Sequence, residues 1–580
     1  MRDSRSASLR LTSHRFDVSD RRSAREGVEQ PTGYINKYGA PAPRGGVDKP
    51  RWFINTRPSA ARRLTSIASV VSLLLAVVVG GSVGCGDRPV AAKIREGEAA
   101  TAPTKTAEPG AVAPASPSVR AEPAAEADAA PAVVQVAQAP QRNQSPASAA
   151  PPTRRSLADL VQRAANEEFR LPQIDEGKVA AAGIRKLEGK HITIYTDVPA
   201  GDEVDQLPRV FDAAVPLYCE HFELDPAQAA DWKVVGYLVQ DKERFQGAGL
   251  FPDDLPPFLN GYTRGSEFWW YEQPSDYYRR HLMIHEGVHA FMFRWLGGAG
   301  PPWYTEGMAE LLGTHRWQDG KLQLAYMPQN KEEVPYWGRV KIIKDQFAAN
   351  QGLQLTDIFR LDAQAHLRNE AYGWCWAAAQ FLAAHPLTRD AFQKLKDDVK
   401  DRSIDFSVRF YEQLKPQWPQ IAEDWQLFIV NCDYGYDVER AAVARKEAAP
   451  LPASGGTATI AADRGWQSSG FQVEAGKTYR IEAAGQFTIG GDEAKPWLCE
   501  PNGITLHYHR GQPIGMLMAG ISEVDSTVRG MTPLSRPVAI GARGEFRPEH
   551  SGVLYFCVNE SPAGLGDNRG TVAVRVVAVE

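Results

Sequence analysis

Order begins near Ser156, where "SLADLVQRAANEEF" has the spacing of a short helix behind a serine cap. Downstream, "HITIYTD" (191–197) and "WKVVGYLVQ" (232–240) alternate as strands do. Between them, "DEVDQLPRVFDAAVPLYCEHF" spaces its Val, Leu and Phe residues for one face of a helix. "DKERFQGAG" predicts a short capped helix, and "GYTRGSEFWWYE" one or two further strands. A helix over about 275–296 follows and contains "HLMIHEGVHAFMF" (His281 to Phe293); the chain then reads as mostly helical to about 437. After "KEAAPLPASGGT" the period changes to two, in "YRIEAAGQFTIGG", "GVLYFCVNE" and "GTVAVRVVAV", with Gly and Pro turns between. The pattern predicts a multidomain chain: an α+β domain over 156–440, then an all-β sandwich or jelly roll over 455–580.

The length of 580 residues fits two to four domains, and a formal charge of −5 argues against bulk nucleic-acid binding. Residues 1–66 are rich in arginine and read as a disordered tail or a mis-assigned start. Over 67–85, Arg62 and Arg63 precede an apolar run from Ile67 to Val79 and then small residues, the order of a secretory signal. "GSVGC" resembles a bacterial lipobox, which implies a lipid on Cys85, although Ser82 stands where Leu is usual; a single membrane anchor is the alternative. Both place the protein outside the cytoplasm, in a bacterial envelope. Residues 86–153, dominated by Ala, Pro, Glu and Val, have too little apolar surface to fold and read as a tether. Of the five cysteines after Cys85, Cys499 and Cys557 share the C-terminal module and are a candidate disulfide; the odd count leaves at least one thiol free or paired between chains.

Within "HEGVH", residues four apart share a helix face, so His285 and His289 can present two imidazoles to one metal ion. Glu286, beside the first, can serve a metal-site water as general base. A histidine pair of a core or surface helix is the other reading. A catalytic zinc takes three protein ligands, and "GGAGPP" (297–302) lets the chain reverse so that Glu306 of "PPWYTEGMAELLG" returns beside the histidines. This arrangement resembles the gluzincins, the thermolysin-like zinc peptidases, and the "P-x-W-[YL]-x-E-G-x-A-E" pattern resembles the peptidase-MA-like families of exported bacterial proteins. The resemblance covers roughly 185–435. It implies that His285, His289 and Glu306 ligate zinc and that Glu286 is the catalytic base. Tyr372, in "NEAYGWCWAAAQFL", is the candidate donor to the oxyanion, with a core or surface tyrosine as the alternative. Glu310, one turn after Glu306, is either an acceptor for a ligand histidine or a solvated helix charge. His281 is expected to pack or to support the ligands, while Arg279, Arg280 and His315 are expected at the surface.

In the last module, "NESPAGLGDNRGTV" resembles the calcium loop of the PA-I-like galactose-binding bacterial lectins, and "GKTYRIEAAGQFTIGG" resembles their early strands. The resemblance implies side-chain ligands from Glu560, Asp567 and Asn568 and backbone carbonyls from Gly564 and Ile489. Glu560 and Asp567 depart from the family's Asp and Asn, and Gly564 lacks its hydroxyl; a structural turn rich in Gly, Asp and Asn is the alternative. His509 and Gln512 stand where a sugar-contacting "H-x-x-Q" would survive.

Two function classes follow. The first is an exported, membrane-tethered zinc peptidase acting on peptide or protein substrates, with an accessory β module for a carbohydrate or surface ligand and calcium as a second ion. The second is a non-catalytic envelope protein that uses the same fold to bind carbohydrate or protein.

Overall fold

The computed structural model describes residues 83–85 and 167–579, apart from 363, 365, 366, 493 and 524–530. The arginine-rich tail, most of the export segment, the Ala/Pro-rich tether and nearly all of the helix expected at Ser156 lie outside the described residues. Among the described residues no helix is long and apolar enough to cross a membrane.

A six-stranded sheet opens the first lobe: β1 (Val83–Cys85), β2 (Arg185–Glu188), β3 (Ile192–Thr196), β4 (Val234–Val239), β5 (Gly261–Arg264) and β6 (Glu267–Tyr271), in the order β1-β5-β6-β4-β3-β2. The central neighbours β3, β4 and β6 run parallel, and the remaining pairings are antiparallel. Every residue of β3 and β4 is buried, because both faces of the sheet are covered. One face, with Ile192, Ile194, Val234 and Phe268, joins the main helical core; the other, with Tyr195, Val235, Tyr237 and Trp269, closes over Phe245 and Phe251. Helix α1 (Leu207–His221) makes the crossover between the parallel strands β3 and β4.

Helix α2 (Asp276–Phe291) starts at Ser275, whose side chain accepts a hydrogen bond from the Tyr278 amide at 3.1 Å. It runs into one π-helical turn over Met292–Leu296 and stops at Gly297, with φ 72°. Gly300 (φ 77°) completes the reversal, and Pro302 opens α3 (Pro302–Gly313) where a missing amide hydrogen costs nothing. A hairpin of β7 (Arg316–Gln318) and β8 (Lys321–Gln323) interrupts the expected helical run. The helices α4 (Arg339–Ala348), α5 (Asn369–Ala384), α6 (Ile404–Leu414) and α7 (Trp418–Asn431) then complete the lobe. Helix α5 lies against α3, close enough that a Cβ on Gly307 would be 3.1 Å from the Cys375 carbonyl oxygen.

The second lobe consists of β9 (Ala449–Pro450), β10 (Gly456–Ala461), β11 (Gln467–Val473), β12 (Thr478–Ala484), β13 (Phe487–Asp492), β14 (Lys495–Cys499), β15 (Asn502–His509), β16 (Gln512–Ser522), β17 (Val538–Ala539), β18 (Arg543–Phe546), β19 (Gly552–Val558), β20 (Asn568–Arg569) and β21 (Thr571–Val579). Sheets β10-β21-β12-β18 and β15-β16-β19-β11-β9 face each other across Ile460, Ile481, Val574, Leu517, Leu554 and Phe556. A third sheet, β14-β13-β20, closes one end. The module starts at β9, a few residues before the boundary expected at 455, because Ala449 and Pro450 pair in parallel with Phe471 and Gln472.

Its outer face is not free. Met518, Tyr555, Trp466 and Leu534 pack on Leu427 of α7. Beside them a buried polar cluster ties the lobes together: Thr532 and Ser522 donate to Glu423 at 2.8 and 2.9 Å, and Arg445 binds both Glu423 and Asp424. The expected disulfide is not formed. Cys499 and Cys557 are both free thiols, since Phe556 and Val558 face the sandwich core and strand alternation turns Cys557 to the opposite face.

The glycine inside "HEGVH" has a packing role. A Cβ on Gly287 would lie 2.5 Å from the Phe211 ring and 3.1 Å from the Tyr218 hydroxyl, which itself donates to the Ile284 carbonyl at 2.9 Å. In an open helix Gly→Ala gains about 1 kcal/mol. Here overpacking against a buried ring costs roughly 1–3 kcal/mol, so Gly287→Ala is expected to lower unfolding stability in urea; a gain in stability would contradict this close packing of α1 on α2.

Candidate metal centre

The reversal at Gly297–Pro302 lays α3 back along α2, so side chains spaced by four on each helix meet. His289 and His285 on α2 bring their Nε2 atoms to 3.0 Å, and Glu306 Oε2 on α3 lies 3.4 Å from His285 Nε2 and 3.7 Å from His289 Nε2. All three residues are buried. A tetrahedral zinc with bonds of 2.0–2.1 Å places its ligand atoms about 3.3–3.4 Å apart. The observed edges of 3.0, 3.4 and 3.7 Å bracket this value. Glu306 Oε2 and His289 Nδ1 make no hydrogen bond in this arrangement.

One turn away a second cluster gathers around Glu310. Its Oε1 lies 3.4 Å from His285 Nδ1 and 3.5 Å from His281 Nε2, and Arg339 binds both carboxylate oxygens at 2.8 Å. Burial pushes the Glu310 carboxyl up, but the Arg339 guanidinium and His281 outweigh it and hold it well below the usual range. Glu310 is thus no solvated helix charge, and His281 is a buried support whose Nδ1 faces the Gly313 carbonyl at 2.9 Å.

Glu286 points to the sheet side. Thr263 on β5 donates to its Oε2 at 2.7 Å, while Oε1 has no hydrogen-bond partner. Strand β5 approaches so closely that a Cβ on Gly261 would collide with Glu286 Oε1. Burial pushes the Glu286 carboxyl up to about 8, and burial also raises Glu306. Among the described residues neither Glu286 nor Glu306 is ion-paired with a lysine or arginine, so Arg339 compensates one of three buried carboxylates. A divalent cation would balance the other two; the donor set, two imidazoles and a carboxylate, suits zinc.

The structure therefore brings together His285, His289, Glu306 and Glu286. It also brings in Tyr372, whose ring centroid is 6.2 Å from that of His285 and which is buried in the first turn of α5. Arg339 and Thr263 have no counterpart in the sequence reading: a lone arginine opening an amphipathic helix and a threonine in a strand carry no local signal. The surface assignments of Arg279 and His315 are corrected. Arg279 is buried between Glu272 and Asp276, and His315 is buried, stacked on Tyr277 at 4.7 Å. Arg280 pairs with Glu203.

In the second lobe, pairing of β13 with β20 sets Ile489 opposite Asn568. Gly564 lies against Glu560, where a Cβ would come within 2.7 Å of Glu560 Oε1. Burial, followed by Asp567, pushes the Glu560 carboxyl up to about 7. Asn568 donates to the Ala462 carbonyl at 2.9 Å, and its buried Oδ1 has no hydrogen-bond partner. Two acids without a basic ion-pair partner among the described residues and an orphaned amide oxygen fit an oxygen-coordinated cation such as calcium. His509 and Gln512 flank the β15–β16 turn, where their carbonyls accept from Asn559 at 3.0 Å each.

The raised Glu286 carboxyl gives the metal-free protein a pH dependence. In the unfolded chain that group loses its proton near 4.5, whereas in the fold it keeps it to about 8, so stability falls as pH rises through this interval. The buried His281 and His289, held below 6.5, work in the opposite sense, and their contribution is complete about one unit above the unfolded value of 6.5. Chelator-treated protein is therefore expected to melt at lower temperature at about pH 8.5 than at about pH 7.5, with a smaller drop in Glu286→Gln. An equal drop in the variant would show that Glu286 is not the group responsible.

No family model matches the chain, and no curated protein matches it. Among solved structures the chain is similar to one described as the EclA N-terminal domain, a PllA-like lectin, at 18% identity over 21% of this chain and 96% of that one, with a TM-score of 0.17.

Proposed function

We propose that the first lobe is a gluzincin-like zinc peptidase, carried outside the cytoplasm and tethered at a membrane by a lipid on Cys85 or by the apolar segment before it. The observation that carries this reading is the ligand triangle of His285, His289 and Glu306, with edges of 3.0, 3.4 and 3.7 Å. Zinc bound there would act as a Lewis acid on the attacking water and on the scissile carbonyl. The chain's own residues do the rest. Glu286, whose Oε2 is held by Thr263 and whose Oε1 has no hydrogen-bond partner, takes the water's proton. It then delivers that proton to the leaving amine. Tyr372, whose ring lies beside His285, would donate to the oxyanion.

One observation favours the non-catalytic reading: His285, Glu286 and His289 have no exposed surface, so a peptide reaches them only if a covering segment moves. Metal content with peptide cleavage separates the two. Wild type is expected to hold one zinc per chain and to cleave a peptide library until a chelator is added. Glu286→Gln is expected to keep the zinc and to lose at least about a hundredfold in cleavage rate, the usual loss of a general base. Stoichiometric zinc with no cleavage by wild type would leave the scaffold reading standing; equal cleavage by the variant would remove Glu286 as the base.

For the second lobe we propose calcium held by Glu560, Asp567, Asn568 and the Ile489 and Gly564 carbonyls, shaping a surface for a carbohydrate ligand. The orphaned Asn568 Oδ1, together with a Glu560 carboxyl that burial and Asp567 push up, is what favours the ion. Calcium at a hundredfold its Kd is expected to stabilise the protein by about 2.7 kcal/mol. Asp567→Ala is expected to abolish that gain, and a wild type indifferent to calcium would rule the site out.

A further inference from the structure

Arg339 stands 29 residues beyond Glu310, yet its guanidinium is among the most buried charges of the first lobe, with 1% exposure. The turn that leads to it has two residues in the left-handed region, Tyr336 at φ 68° and Gly338, which adopts it freely, at φ 65°. For a bulky residue such as Tyr336, that conformation is uncommon. The guanidinium then makes contacts on every side. Nε and Nη2 hold the two oxygens of Glu310 at 2.8 Å each, Nη1 donates to the Trp337 carbonyl at 3.0 Å, and the group lies 5.8 Å from the ring centres of both Tyr278 and Tyr372.

We infer that Arg339 is a positioning residue for the zinc ligand His285, acting through a two-point grip on Glu310. This rests on the zinc reading of the site. A neutral imidazole offers a lone pair at one nitrogen only when the other carries the hydrogen. Nε2 of His285 faces His289 and Glu306, so Nδ1 must be the donor, and the acceptor it faces is Glu310 Oε1 at 3.4 Å. His281 approaches the same carboxylate, with Nε2 3.5 Å from Oε1 and Nδ1 2.9 Å from the Gly313 carbonyl oxygen. The fork of Arg339 sets the plane of the Glu310 carboxylate, and through Oε1 that plane sets the orientation of the His285 ring.

A buried ion pair alone is poor ground for stability, since apolar replacements are often tolerated. The competing role for Arg339 is simple charge compensation, and three variants of the full chain separate the two. In each, zinc affinity is measured by chelator competition, the cobalt-substituted protein gives a ligand-field spectrum, and thermal melting reports the fold. Arg339→Met is expected to weaken zinc binding by about 10–100-fold, the usual effect of losing an outer partner of a metal ligand, and to alter the cobalt spectrum. Arg339→Lys keeps the charge but not the fork, and is expected to stay weakened by at least about tenfold. The pair Arg339→Met with Glu310→Gln buries no charge; its melting is expected to return toward wild type while its zinc affinity does not. Wild-type affinity in the lysine variant or in the double variant would overturn the inference and leave Arg339 as a counter-charge. A wild type that takes up no zinc would instead overturn the metal reading on which the inference stands.

Discussion

Three carboxylates buried at the junction of α2 and α3, with one guanidinium among them, are the constraint around which the first lobe is arranged. Burial of an unpaired carboxylate is costly enough that the group takes up a proton or finds a cation. Glu310 has found Arg339, and burial raises Glu286 and Glu306 instead. The surrounding packing keeps these groups from escaping to water. Gly287 lets α1 press on α2, Gly307 lets α5 press on α3, and Gly261 lets β5 lie against Glu286. Small residues therefore sit wherever a helix or strand must come close to the acids.

Much of this centre was legible in the sequence, and the reason is periodicity. His285 and His289 are one helical turn apart, and so are Glu306 and Glu310; the glycine- and proline-rich break between the pairs tells the chain to reverse. Such signals are local. Arg339 and Thr263 were not legible because each reaches the site from a distant segment, and neither residue type marks its own destination. The surface expected for Arg279 and His315 failed on tertiary packing: Glu272, before α2, pairs with Arg279, and His315, after α3, stacks on Tyr277 of α2, contacts that only the packed lobe reveals.

The second lobe shows where pattern reading misleads. Alternation identified its strands, but alternation with one free face would have left Met518, Tyr555 and Cys557 in solvent. They are covered because α7 docks there, and Glu423 and Asp424 of α7 reach into Arg445, Thr532 and Ser522. Strand alternation puts Cys557 on this covered outer face and Cys499 in the sandwich core, which removes the expected disulfide. What the sequence suggested as an appended binding module is joined to the helical lobe through a buried polar cluster.

X-ray absorption at the zinc edge of the purified full chain decides whether His285, His289 and Glu306 hold the metal. Zinc is expected to show nitrogen and oxygen neighbours only, near 2.0–2.1 Å, with the outer scattering of two imidazoles. A sulfur shell near 2.3 Å, a single imidazole, or protein that carries no zinc edge after zinc loading would contradict it.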